Sequence, residues 1–364
     1  MNSHNYGIIL AGGEGTTFWP LCRQHRPLQF FQYGPARKSL LRVTYERTRS
    51  VIPEENILVV TLARYRKAVL EIIPELPEGN LLLEPYGRNT APCITYATYT
   101  LLKRDPLAVM AIMPADNLIS EDASFRDILC EALDYAASHD ELITLGIVPD
   151  RPDSNYGYIQ VVGGKNAWEQ TRPVKVKTFT EKPDPQLAEV FLRSGEFLWN
   201  SGIFVWKAQV IRNELETYVP AVTRLFHGWE TALGGPEEQR FLEKAYMNME
   251  RISIDYAVME NTEIDRVFAA DFRWADISSW DAAYKSIAKP DADGNAVLSG
   301  QGLLLESKDC ILNSSYPDKL LAVSGLEGYI VIDTVDVLMI CPRDGHKVKD
   351  ITTQIGLPEY ERYR

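Results

Sequence analysis

The chain has 364 residues, 45% hydrophobic and 24% charged, enough for one large domain plus a smaller one with an ample core. Its 38 basic against 50 acidic residues leave a net charge of −12, which argues against a broad nucleic-acid surface but allows small phosphorylated ligands held by local cations. Five dispersed cysteines without a C-x-x-C pair read as reduced thiols of a cytoplasmic protein, and no signal peptide or membrane span of the roughly 18–20 apolar residues required is expected.

Tyr6 to Leu10 reads as a buried strand that turns on Gly12, Gly13 and Gly15 and runs on through Trp19-Pro20 to Arg23, His25 and Arg26. A strand entering a Gly-rich turn presents backbone N–H groups that phosphate can approach closely. Residues 39–50 suit a helix, 57–61 a strand, 64–73 a helix and 80–84 a third strand running into PYGRNTAP. A helix over 91–103 and an apolar strand over 108–114 follow, ending in Ala115-Asp116-Asn117. A helix over 125–138 and a strand over 142–148 complete the alternation. It implies an α/β domain with an open, mostly parallel, Rossmann-like sheet covered by helices. In such sheets ligands lie beyond the carboxyl ends of the strands, so the segments after Leu10, Glu84 and Pro114 are expected to converge.

From residue 155 the texture changes. YGYIQVV and Val174–Phe179 read as strands, 185–194 as a helix, and FLWNSGIFVW (197–206) as strand-like around an Asn-Ser-Gly turn. Helices are expected over 210–227 and 237–247, with a further one from 252, Ser253 capping it. Beyond PDADGN, short β-like runs predict a small β-rich C-terminal domain. The expected domains are 1–289 and 290–364, and the exposed β tail is compatible with a homo-oligomer.

The G-x-G-x-x-G fingerprint does not fit LAGGEGTT, and Glu14-Gly15-Thr16 is not the Gly-Lys-Ser/Thr of a P-loop. A tight turn without ligand is the remaining alternative. Asp116, after an apolar strand, suits either a helix cap or a hard divalent cation, and Asp276, between Trp274 and Trp280, is a second carboxylate for the same ion. Lys182 is a phosphate or sugar ligand or else a solvated partner of Glu181. Asn200 and Ser201 are polar groups in an aromatic strand that sugar hydroxyls would satisfy, unless they only form a turn.

LAGGEGT-x-x-WPL-x-R, EP-x-GRNTAP, P-x-D, YGYI, F-x-EKPD, WNSGIF, SIDYAVME and W-x-D-x-x-SW occur in that order. Together they resemble the mannose-1-phosphate guanylyltransferase family of sugar nucleotidyltransferases, in its short form. The resemblance implies a GT-A-like fold and an Mg²⁺-assisted reaction of mannose 1-phosphate with GTP, with no nucleic acid or membrane partner. It places Leu10, Ala11, Gly12, Gly13 and Gly15 at nucleotide and phosphates, and Glu84, Arg88, Asn89 and Thr90 at base and ribose. Gly157, Glu181, Lys182, Asn200 and Ser201 would meet the sugar phosphate, and Asp116 and Asp276 the metal; Arg23, Asp116, Lys182 and Asp276 form the catalytic set.

Two departures fall at the expected chemistry. Thr16 stands where the family has arginine and Leu28 where it has lysine, both cations that would face phosphates. Smaller departures are Asn117, Asn155 and Ser278. The rival expectation is a weakened homologue that binds a nucleotide sugar as a sensor or regulatory subunit, with Arg23, Arg26 and Lys182 the nearby substitutes for lost charge.

Overall fold

A computed structural model describes residues 2–13, 18–33, 38–277, 279–287 and 289–364. Gly15, Thr16 and Ser278 lie outside the described residues. The chain divides into two compact units, Met1–Gly12, Arg42–Ala115 and Ile119–Trp274 in one, Gly13–Leu41, Asp116–Leu118 and Ala275–Arg364 in the other.

The first unit is built on nine strands: β1 (Asn5–Leu10), β2 (Ile57–Leu62), β3 (Leu81–Glu84), β4 (Val109–Pro114), β5 (Leu142–Ile147), β6 (Tyr158–Val161), β7 (Val174–Thr180), β8 (Phe197–Lys207) and β9 (Asp265–Ala270). Their order across the sheet is β3-β2-β1-β4-β8-β5-β9-β7-β6. β2 and β5 are buried at every residue, as continuous apolar runs between helical layers should be. The helices are α1 (Leu40–Arg49), α2 (Arg66–Ile72), α3 (Thr90–Arg104), α4 (Asp122–Ser138), α5 (Gly164–Gln170), α6 (Pro185–Ser194), α7 (Ala208–Tyr218) and α8 (Glu238–Met247). Ile8, Val60, Ile112, Leu198 and Trp206 belong to one buried cluster that includes faces of both α3 and α7.

The sheet is mostly parallel, as expected, and is mixed because β7 and β8 run against the other seven strands. β3, β2, β1 and β4 run parallel, as do β5 and β9, but β8 is antiparallel to β4 and β5, and β7 to β9 and β6. Alternation with helices specifies parallel neighbours only where one crossover joins adjacent strands. β8 enters the sheet from a later, strand-rich part of the chain, and local sequence carries no sign of its direction. At Asn-Ser-Gly β8 stays a strand but turns locally: its register is irregular between Asn200 and Phe204, Gly202 has φ 71°, and Gly202 N–H donates to Asn200 Oδ1. The helix expected over 210–227 ends at Tyr218, and Pro220 starts a separate four-residue turn.

The C-terminal part of the second unit holds α9 (Trp280–Ile287), α10 (Gly345–Ile355) and six short strands. These are β10 (Ala296–Ser299), β11 (Gln301–Leu305), β12 (Ile311–Ser314), β13 (Leu320–Ser324), β14 (Tyr329–Asp333) and β15 (Leu338–Pro342). They pair as β10-β12-β14-β15 and β11-β13, parallel except for β14 with β15. Residues 13–41 and 275–289, which the sequence division assigned with the sheet, pack here with the tail. Phe18 and Trp280 lie 4.7 Å apart between ring centroids, and the Trp280 indole donates to the Trp19 carbonyl at 3.3 Å. Burying aromatic side chains of this kind contributes about 1.5–3 kcal/mol each, and contacts across some 260 residues leave no local trace in sequence.

Candidate active site

The parallel strands β1 to β4 all end at one edge, beside the point where the strand order reverses at β1. The segments after Leu10, Glu84 and Pro114 do converge there. Ala11 N–H donates to Val60 and Ala115 N–H to Leu10, while the Thr61 hydroxyl donates to the Ala11 carbonyl at 2.8 Å. A Cβ on Gly12 would stand 3.3 Å from Glu84 Oε2, so the bare backbone here faces a carboxyl directly.

Glu84 is only 3% exposed, and among the described residues its Oε1 has no hydrogen-bond partner. Burial pushes its pKa up to about 8, against the opposing pull of the Tyr246 hydroxyl and Cys93 thiol beside it. At neutral pH it is therefore a neutral acid that sets no negative charge against an approaching phosphate.

Asn89 caps α3 from a left-handed backbone (φ 71°), its side chain accepting from Thr90 N–H at 2.9 Å. The Thr90 hydroxyl accepts from Ile254 N–H at 2.8 Å. Arg88, expected at base or ribose, directs its guanidinium to the Tyr246 and Met247 carbonyls at the end of α8. Carbonyls at a helix end lack intrahelical partners, and Arg88 donates to two of them.

A second cluster gathers Gly157, Glu181, Lys182 and Asn200. A Cβ on Gly157 would lie 2.5 Å from Glu181 Oε2 and 3.3 Å from Asn200 Cβ, so a methyl here would push the Glu181 carboxylate from its place. Glu181 pairs with Lys182 at 3.2 Å, and Lys182 holds a left-handed backbone (φ 48°) uncommon for a residue with a side chain. Asn200 Nδ2 donates to Asp255 Oδ1 at 2.8 Å, and Asn200 Oδ1 accepts from Gly202 N–H at 3.0 Å. Beside this cluster Tyr156 packs edge-on against Trp199 and Trp274, and the Arg151 guanidinium lies 5.0 Å from the Trp199 ring.

Ser201 belongs to the frame instead: it is buried and its hydroxyl donates to the Leu145 carbonyl at 2.6 Å. Asp255, absent from the sequence-derived set, is the residue that reasoning missed. It lies inside SIDYAVME, and a carboxylate opening an otherwise apolar helical stretch was the available signal.

A two-stranded sheet joins Asn117–Ile119 to Trp274–Asp276. Asp116 immediately precedes one strand and Asp276 ends the other, so two residues 160 apart in sequence belong to one small element. Desolvation raises the Asp116 pKa, the condition under which a nearby cation would favour its ionised form.

Arg23 has a different task from the catalytic one expected of it. It is 8% exposed; its Nε donates to the Pro20 carbonyl at 2.7 Å, its Nη1 to the Tyr363 carbonyl at 3.0 Å and its Nη2 to Asp336 at 2.8 Å. The Trp19 indole donates to the same Tyr363 carbonyl at 2.7 Å. These bonds commit the guanidinium to holding the chain's last turn. Leu28 is 4% exposed in the apolar cluster of Phe18, Trp19 and Trp280, so this position does not face an open phosphate site.

These features define a nucleotidyltransferase. A nucleotidyl transferase family model matches residues 6–291, and a MannoseP isomerase/GMP-like beta-helix domain model matches residues 300–355. A mannose-1-phosphate guanylyltransferase of Klebsiella pneumoniae is 33% identical over 365 residues, covering 98% of this chain and 76% of the relative. The xanthan biosynthesis protein XanB of Xanthomonas campestris is 34% identical, covering 96% of this chain and 72% of XanB. A crystal structure described as a mannose-1-phosphate geranyltransferase from Thermus thermophilus superposes with a TM-score of 0.84 at 28% identity, covering 97% of this chain and 100% of that one. The chain belongs to the mannose-1-phosphate guanylyltransferase family of nucleotidyl transferases.

Proposed function

We propose that this protein makes GDP-mannose: a phosphate oxygen of mannose 1-phosphate attacks the α-phosphorus of GTP, the α–β phosphoanhydride breaks, and pyrophosphate leaves. The observation that carries this reading is the strand edge where Leu10, Ala11 and Gly12 meet Glu84 at the sheet's switch point, in a chain matched nearly end to end by guanylyltransferases. Transfer of this kind depends chiefly on positioning and on neutralising charge as it develops.

In this reading Leu10, Ala11, Gly12 and Gly13 hold nucleotide and phosphates by backbone, with Gly15 assigned by the family pattern alone. Glu84, Asn89 and Thr90 shape the nucleoside side, and Arg88 supports it by fixing the end of α8. Gly157, Glu181, Lys182 and Asn200 receive the sugar phosphate, with Lys182 the cation for its charge and Ser201 holding the strand beneath. Asp116 and Asp276 would hold Mg²⁺, whose usual habit is one or two carboxylates plus substrate phosphates and water. Bound there, the ion would supply charge neutralisation at the phosphates.

The domain boundary near residue 290 and a cytoplasmic location belong to the same proposal. Self-association is included too, through the exposed Leu303, Leu305 and Leu320 of the β11–β13 pair, with light scattering of the purified chain as its check. Coupled pyrophosphate release from GTP, mannose 1-phosphate and Mg²⁺ tests the reaction. Turnover at background level across sugar phosphates and nucleoside triphosphates would overturn it.

A further inference from the structure

Asp255 stands where two parts of the first unit are tied together. Ile252 N–H donates to the Arg88 carbonyl, Ala91 N–H to the Ile252 carbonyl, and Ile254 N–H to the Thr90 hydroxyl. Residues 252–254 are thus anchored on the Arg88–Ala91 segment, and the next residue, Asp255, bonds across to Asn200. Asp255 opens a π-helical turn, Asp255–Met259, a geometry that is rare and found mostly at functional sites.

The Asn200 amide can take only one orientation here. Its Nδ2 donates to Asp255 and its Oδ1 accepts from Gly202 N–H; a flip would set oxygen against carboxylate and N–H against N–H. One Nδ2 hydrogen and one Oδ1 lone pair then keep a defined direction for a ligand. An asparagine at position 255 would accept the same hydrogen bond without a charge. The carboxylate is kept despite burial and the nearby Glu181, which together push its pKa up to about 6; the Asn200 bond and Lys182 pull the other way. Glu260, on the same turn, is also raised, by burial and by Glu181.

Resting on the function proposed above, we propose that Asp255 is a positioning residue for the sugar phosphate. Its carboxylate locks the Asn200 amide, and its negative charge, with that of Glu181, holds the Lys182 ammonium at the cluster. The charge requirement separates this role from a purely structural one.

The full chain carrying Asp255→Asn keeps the acceptor and loses the charge. At pH 8 its KM for mannose 1-phosphate rises roughly tenfold while its KM for GTP stays within about twofold, and its melting temperature is equal to or above wild type. The ratio of wild-type to variant kcat/KM for the sugar phosphate falls toward one below pH 6; taking the ratio cancels the substrate's own ionisation. An unchanged KM for mannose 1-phosphate, or an equal rise for both substrates, overturns the inference. Absence of turnover in the wild type instead overturns the proposed function. The inference is then decided by ¹³C NMR titration of the Asp255 carboxyl: a fall from about 6 in Glu181→Gln supports it, and an unmoved titration overturns it.

Discussion

At the nucleotide edge, Gly12 faces one acid whose burial pushes its pKa up to about 8 and whose Oε1 has no partner among the described residues. Around Gly157, two carboxyls, an amide and an ammonium bond or press on one another from three segments of chain. The first region relies on backbone and on the removal of charge, which suits an incoming polyanion. The second relies on charged side chains held in register, which suits a small ligand rich in hydroxyls with one phosphate. The same residue type, glycine, serves both, but the clearance differs: 3.3 Å to a carboxyl oxygen at Gly12 and 2.5 Å at Gly157.

That difference orders the expected effects. Gly157→Ala should be the most damaging, because its methyl cannot coexist with Glu181 where it stands; a displacement near 1 Å at a reacting site costs on the order of 10²-fold. Steady-state kinetics should show the loss in kcat/KM for mannose 1-phosphate, with near-native melting. Arg23→Gln should do the reverse, lowering stability by about 2–3 kcal/mol by denaturant titration, since buried charged hydrogen bonds are lost, while KM for both substrates stays near wild type.

Glu84→Gln sharpens the nucleotide side of the comparison. The acid's pKa is raised from 4.5 to about 8, so its stabilising contribution is full below pH 4.5 and lost as pH rises through about 8. The glutamine variant should therefore gain in melting temperature relative to wild type between pH 6 and 9, with little difference in that gap between pH 3 and 4. Gly12→Ala should have the smallest effect, roughly two- to fivefold on KM for GTP, because a few tenths of an ångström of movement by Glu84 clears the methyl. If Gly12→Ala proved worse than Gly157→Ala, the contrast drawn between the two regions would fail.

Much of the fold was legible. The strands at 57–62 and 142–147 and the helix at 185–194 were read from apolar runs and turn residues, and the structure adds the Asp184 cap, whose side chain accepts from Gln186 and Leu187 N–H. The convergence after Leu10, Glu84 and Pro114 followed from parallel strands with helical crossovers. The helix Gly164–Gln170 went unread because its short polar GKNAWEQ has little periodicity of its own. Among site residues, Asn200 stood out as a polar group in an aromatic strand, and Glu181 came from the family resemblance. Asp255 was not, since its meaning depends on Asn200 standing opposite. Arg23 looked like a phosphate ligand because an arginine near a Gly-rich turn carries no mark of its partners, here Asp336 and the Tyr363 carbonyl.

By itself, the order of motifs from LAGGEG to W-x-D determined the family, and the period of the apolar residues determined most of the elements. Those are local properties, set by which side chains must leave water and which backbone angles glycine and proline permit. Only tertiary structure decided the direction of β8, the burial of Leu28, the commitment of Arg23 to the last turn and the pairing of Asn200 with Asp255. Each is a contact between segments far apart in the chain. Charge, burial and hydrogen-bond partners at such positions exist only once those segments have met.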